Sequence, residues 1–224
     1  MCGRFTLFPE DYAELARLTG TDADVALAEH YRQRYNTAPM QRSWIVRADR
    51  ESRVLDYGRW GLVNFWAKDN KRAARQINAR AETVHERPAY RNAFKSRRCL
   101  VPASGFYEWS GSKGKRQPHW IHPVEDELWF FAGLYERWDG VDGEGETTFT
   151  IITTEANEAI MPIHDRMPVI LDADAVDDWL FAPPEEADRL RQLLVPARAD
   201  TLAIQDANPN VGNVRNDGPE LLST

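Results

Sequence analysis

Cys99-Leu100-Val101-Pro102-Ala103-Ser104-Gly105-Phe106-Tyr107-Glu108-Trp109-Ser110-Gly111-Ser112-Lys113-Gly114-Lys115-Arg116-Gln117-Pro118-His119-Trp120-Ile121-His122 is the stretch on which the fold depends. Residues 99–101 and 105–109 are apolar and aromatic runs of strand length, separated by the turn-like Pro102-Ala103-Ser104. Residues 111–114 read as a hairpin tip, and the chain returns through residues 118–122. Outward from this meander, residues 43–48, 54–57, 128–138, 148–154 and 167–171 also read as strands, rich in β-branched and aromatic side chains. A first helix is expected over residues 9–18, with Pro9 in its first turn and Gly20 as its stop. Asp172 caps a helix running through Leu180, and a second helix is expected over residues 184–194. Residues 143–146 read as a mobile loop. Strands and helices do not alternate, which argues against a doubly wound sheet. The expected class is α+β: one domain over residues 1–224, strand-rich with peripheral helices. There is no repeat, low-complexity tract or obvious linker.

A chain of 224 residues buries a sizeable core without staples. Two cysteines exclude a disulfide scaffold and a zinc site built mainly of thiolates, which points to a reducing compartment. No apolar segment follows Met1 as in a signal peptide, and apolar runs such as residues 128–134 are too short to span a bilayer. The expected location is cytoplasmic, with no membrane partner. The net charge of −7 hides an asymmetry. Residues 1–121 carry 22 Lys and Arg against 13 Asp and Glu; residues 122–224 carry 6 against 22. Residues 68–98 hold ten basic and three acidic side chains. Such a segment is a footprint for a polyanion or an ordinary solvated face.

Four positions carry candidate chemistry. With Met1 removed, Cys2 presents an amine and a thiol on adjacent carbons, both partly nucleophilic near neutrality. A 1,2-aminothiol condenses with an aldehyde through a Schiff base that the thiol closes to a thiazolidine. Cys2 equally fits a buried apolar residue near a terminus, and Cys99 reads as core. Glu108, flanked by aromatics, is a carboxylate that burial would suit to acid/base work, or a strand-surface Glu. His164 lies in a short connection beside Asp165 and Arg166 and can shuttle protons, or is a loop His held by Asp165. Asn78 and Arg80 offer an amide and a phosphate-binding fork, although Asn78 could instead cap a helix. Asn36 reads first as part of a turn. His85, His119 and His122 have no comparable setting, and no spacing resembles a metal site.

The opening Met1-Cys2-Gly3-Arg4-Phe5 is followed by Tyr35-Asn36-Thr37-Ala38-Pro39, Trp60-Gly61-Leu62, residues 77–83, 101–109 and 163–168, and Gly212-Asn213-Val214-Arg215-Asn216. In order and spacing these blocks resemble the SRAP family of abasic-site processing proteins, from Met1 to about Leu222. The resemblance implies one domain with a barrel-like β core and a substrate, abasic sites in single-stranded DNA, whose ring-opened sugar is an aldehyde. It assigns Cys2 as nucleophile, Asn78 and Glu108 as supporting polar residues, and His164 as the catalytic histidine. No cofactor or metal is implied, and a monomer is expected, nucleoid-associated when bound to DNA. The family is also described as peptidase-like; here self-processing would remove Met1 alone. Arg4, Arg80 and Arg166 are candidates for phosphate contacts, with Asn36 a further DNA-contact candidate. Phe65 and Trp66 are candidates for base stacking. Many relatives carry a proline where Asn64 stands, which bears on the shape of that segment. Two other classes fit parts of the pattern: an N-terminal-nucleophile hydrolase using Cys2, and a non-covalent single-stranded DNA damage sensor.

Overall fold

The computed structural model describes residues 2–112, 114–125, 127–140 and 143–224. In chain order, β1 (Phe5–Leu7) leads into α1 (Tyr12–Thr19). The helix starts at 12 and not 9 because the Asp11 side chain accepts from the Glu14 N–H as N-cap. Gly20 ends it in the left-handed conformation, φ 65°, where a Cβ would also approach Arg53 Nη1 to 3.2 Å. There follow α2 (Val25–Ala28), β2 (Arg34–Thr37), β3 (Arg42–Asp49), β4 (Ser52–Trp60), β5 (Asn78–Arg80), α3 (Arg91–Ser96), β6 (Arg98–Ala103), β7 (Gly105–Ser110) and β8 (Gln117–Pro123). Then come β9 (Trp129–Trp138), β10 (Glu146–Glu155), β11 (Arg166–Pro168), α4 (Val176–Phe181) and β12 (Leu202–Asp206).

Among the described residues, β3, β4, β10, β9 and β6 pair in sequence, and β6 returns to β3, closing a five-stranded barrel. The β4–β10 pairing is parallel, and the other four are antiparallel. β10 extends past the barrel and takes β5 in parallel and β11 in antiparallel pairing. A second sheet has the order β12-β8-β7-β1-β2, antiparallel throughout. Alternation along the barrel strands divides the core. Val46 and Leu100 pack with Leu15, Phe94 and Trp179 of the helices. Ile45 and Val101 pack with Phe5, Phe106 and Ile121 of the second sheet. The chain passes between the sheets at Gly105, where a Cβ would meet Trp120 Nε1 at 2.5 Å and the Ile121 carbonyl at 2.7 Å. Arg98, buried at 4% exposure, donates to the carbonyls of Phe94, Lys95, Trp179 and Ala182. Its charge thus closes the C-terminal ends of α3 and α4.

The α+β, strand-rich single fold agrees with the sequence reading, with local corrections. Residues 184–194 form two 3-10 segments, Pro184–Glu186 and Arg189–Leu193, and not one helix. Ala187, Leu190 and Leu194 nevertheless pack into the core, at the three-then-four spacing that suggested a helix. The helix after Asp172 opens as a 3-10 turn before α4. The strand expected over 167–171 is only β11 plus a bridge from Ile170 to Phe131. Glu146 of the expected loop begins β10, held by Arg59 and Arg42. Lys113 of the hairpin tip lies outside the described residues. β1, β2, β5 and β12 had no strand expectation. Cys99 is fully buried in β6.

Candidate active site

Cys2 lies three residues before β1, which pairs with β7, the strand that carries Glu108. Asn78 opens β5, and His164 sits in the turn entering β11; both strands pair with β10. Asn78 is therefore a strand residue and not a helix cap. Its Nδ2 donates to the Cys2 carbonyl at 2.8 Å, and the Tyr90 hydroxyl donates to the Asn78 carbonyl at 3.3 Å. The Nδ2 bond to Cys2 fixes the amide orientation and leaves Asn78 Oδ1 buried with no hydrogen-bond partner among the described residues. A buried acceptor in this state favours a donor brought by a ligand.

The Cys2 side chain is fully buried among Phe5, Trp60, Phe106 and Ile151, with Sγ 3.9 Å from the Arg4 carbonyl. Burial, and then the charge of Glu108, push the thiol far above its ordinary range, so it is protonated at neutral pH. Glu108 is 4% exposed, and burial pushes its carboxyl up to about 7, with Asp165 adding to the rise. The pairing of β1 with β7, with the Tyr107 N–H donating to the Arg4 carbonyl, sets Glu108 beside the Cys2 segment. The His164 turn is built by Asn157, whose Oδ1 accepts from Ile160 N–H and whose Nδ2 donates to the Ala197 carbonyl. The Arg166 N–H donates to His164 Nδ1 at 2.9 Å, so Nε2 carries the proton of the neutral ring. Asp165 Oδ1 lies 3.0 Å from the same Nδ1. Partial burial lowers the His164 pKa, against the pull of Asp165. The Asn78 amide thus meets the Cys2 carbonyl, and the Glu108 carboxyl is coupled to the Cys2 thiol and to Asp165 beside His164. Met1, whose removal the aminothiol reading needs, lies outside the described residues.

The DNA-contact candidates divide. Phe65 and Trp66 are 55% and 58% exposed, and the Arg97 guanidinium lies 5.8 Å from the Phe65 ring centre. Asn64 fixes the segment beneath them: its Nδ2 donates to the Ala89 carbonyl at 2.7 Å, and its Oδ1 accepts from Gln76 at 3.4 Å. A cleft of about 330 Å³ runs under Trp66 between Asn64, Lys68, Arg72 and Gln76. Arg80 is exposed, whereas Arg98 of the basic stretch is internal. Arg4 is half-buried beside Trp109, and the Arg166 fork is bound to Glu82 and the Thr153 carbonyl. Both arginines keep a buried Nε with no partner among the described residues.

Asn36 stands in β2 and not in a turn. Its side chain is fully buried, and its Nδ2 donates to the carbonyls of Val211, Asn213 and Asn216, so it organises the C-terminal loop, while its Oδ1 has no partner among the described residues. Sequence reading missed Tyr90 and Glu82, whose signals are long-range, and gave Asp165 only a local role. Among the described residues no group of three His, Cys, Asp or Glu could hold a metal ion, and no helix is long and apolar enough to cross a membrane.

Comparison with known proteins adds an independent line. The chain is 40% identical over 225 residues to the abasic site processing protein YoqW of Bacillus subtilis, covering 100% of each. It is 34% identical to the abasic site processing protein HMCES of Gallus gallus, over 86% of this chain and 66% of that one. A solved structure from Bacteroides thetaiotaomicron superposes with a TM-score of 0.87 at 25% identity, covering 99% and 98% of the two chains. The family model described as SOS response associated peptidase (SRAP) spans residues 1–214. With that span and relatives alike over their full length, the chain belongs to the SRAP family.

Proposed function

We propose that this protein captures abasic sites in single-stranded DNA as a thiazolidine at Cys2 after Met1 is removed. The observation that carries the reading is the Asn78 amide on the Cys2 carbonyl, beside a Glu108 carboxyl that titrates at about 7. The names of the full-length relatives support the substrate.

The order of steps follows from the two nucleophiles. A free α-amine has an ordinary pKa of about 8, whereas the buried thiol stays protonated, so the amine reacts first. His164 transfers protons at the sugar oxygen and favours the open-chain aldehyde. The Cys2 nitrogen adds to C1′, and water leaves as the imine forms, with Glu108 moving the protons between nitrogen and departing oxygen. Sγ then adds to the imine carbon, and its proton passes to the nitrogen. Release requires two bonds to break, so the adduct outlasts a Schiff base. Asn78 keeps the Cys2 end oriented throughout. Arg4 and Arg166, whose Nε–H groups have no partner among the described residues, and the exposed Arg80 meet phosphates, while Phe65 and Trp66 stack bases.

The test mixes protein of verified mass, lacking Met1, with a single-stranded oligonucleotide bearing one abasic site, followed by a denaturing gel. A heat-stable shifted band is expected with the abasic oligonucleotide only, and not with Cys2→Ala. Absence of the band overturns covalent capture and leaves a hydrolase or a non-covalent sensor.

A further inference from the structure

We infer that Ser110, His119 and Asp206 form a second reactive site, a serine acyl-transfer triad for small carboxylic esters, distinct from the Cys2 centre. Each residue comes from a different neighbouring strand: Ser110 ends β7, His119 lies on β8 and Asp206 ends β12. Register puts them on one face. His119 pairs directly with Asp206 on one side and Glu108 on the other, and Ser110 is two residues beyond Glu108. The side chains meet at hydrogen-bond distance: Ser110 Oγ to His119 Nε2 at 2.7 Å, and His119 Nδ1 to Asp206 Oδ1 at 3.0 Å.

The polarity of this array follows from Asp206. A carboxylate only accepts, so Nδ1 must carry the ring proton, and Nε2 is the acceptor for the Ser110 hydroxyl. This is the tautomer of a general base poised on a serine, with a third group orienting the ring. The His119 side chain is 15% exposed and held from both ends. Ser110 is half-buried beside the exposed Gly111 and Ser112, so a small ester reaches it from solvent. Ser110 Oγ attacks the ester carbonyl carbon while its proton moves to Nε2. The carbon–oxygen bond to the alcohol breaks, and the alcohol leaves with that proton. A water then gives its proton to Nε2 and its hydroxyl to the acyl carbon, releasing the carboxylic acid and restoring Ser110. The chemistry does not use Cys2, and Glu108 of the Cys2 centre, although opposite His119 on the same face, takes no part in it.

The experiment treats Cys2→Ala protein with an alkyl fluorophosphonate and maps the modified peptide by mass spectrometry, with hydrolysis of p-nitrophenyl acetate as a second readout. Label is expected on Ser110 and is lost in Ser110→Ala. His119→Gln should slow labelling and hydrolysis about tenfold or more, and Asp206→Asn several-fold. Far-UV circular dichroism checks that each variant folds. Should His119→Gln fail to fold, Asp206→Asn, altered at an exposed carboxylate, decides. Ser110 left unmodified, or labelled equally fast in folded His119→Gln or in Asp206→Asn, overturns the proposal and makes the array a structural hydrogen-bond chain.

Discussion

Asn78 joins β5 to the Cys2 carbonyl by one hydrogen bond, so its effect should appear in chemistry more than in stability. Asn78→Ala is expected to lower the rate of adduct formation about tenfold, measured on single-turnover gels, while costing only about 1 kcal/mol in denaturant unfolding. Glu108 makes the opposite case. Between its ordinary value of 4.5 and about 7 the folded chain keeps a proton that the unfolded chain has released. Stability therefore falls as pH rises through that window, and the loss is complete above it. Glu108→Gln removes this titration. Relative to the parent it should gain nothing at pH 4.5 and on the order of 3 kcal/mol at pH 8, read from urea midpoints. An advantage that stays flat with pH would refute the raised pKa. The setting of Glu108 was legible because the aromatic residues around it foretell burial. Asn36 was not legible: its three carbonyl partners lie at Val211, Asn213 and Asn216, and no local pattern announces them.

Elements were legible where a local device ends them. Gly20 announced the end of α1, whereas the Asp11 cap that sets its start went unread; Asp11→Ala should cost about 1 kcal/mol in thermal unfolding by freeing the Glu14 N–H. The Gly-rich tip and flanking aromatic runs likewise announced β7 and β8. Four short strands escaped because length and alternation carry little signal in three to five residues. β1, β2, β5 and β12 exist through pairing with strands made elsewhere. The 3-10 segments near residues 184–194 escaped because proline and acidic residues at a helix start serve both helix types.

Across the whole molecule the charge asymmetry was the clearest functional signal, yet it overstated the available cations, since Arg98 is internal and Arg97 is paired with the buried Glu136. Affinity for single-stranded DNA should fall steeply with salt, with a logarithmic slope of about −0.7 for each phosphate neutralised. Phe65→Ala and Trp66→Ala should each weaken binding about tenfold without changing that slope, as fluorescence anisotropy titrations would report. The clasp between Asn36 and residues 211–216 is completed by Asp217, which accepts from the backbone N–H groups of Tyr35 and Asn36 and pairs with Arg34. That stitch gives the molecule a clock. Residues 34–37 leave the ribosome long before residues 211–217, so the edge strand β2 stays unclasped until those later residues arrive. Synthesis that stops before residue 211 therefore leaves that edge of the sheet frayed.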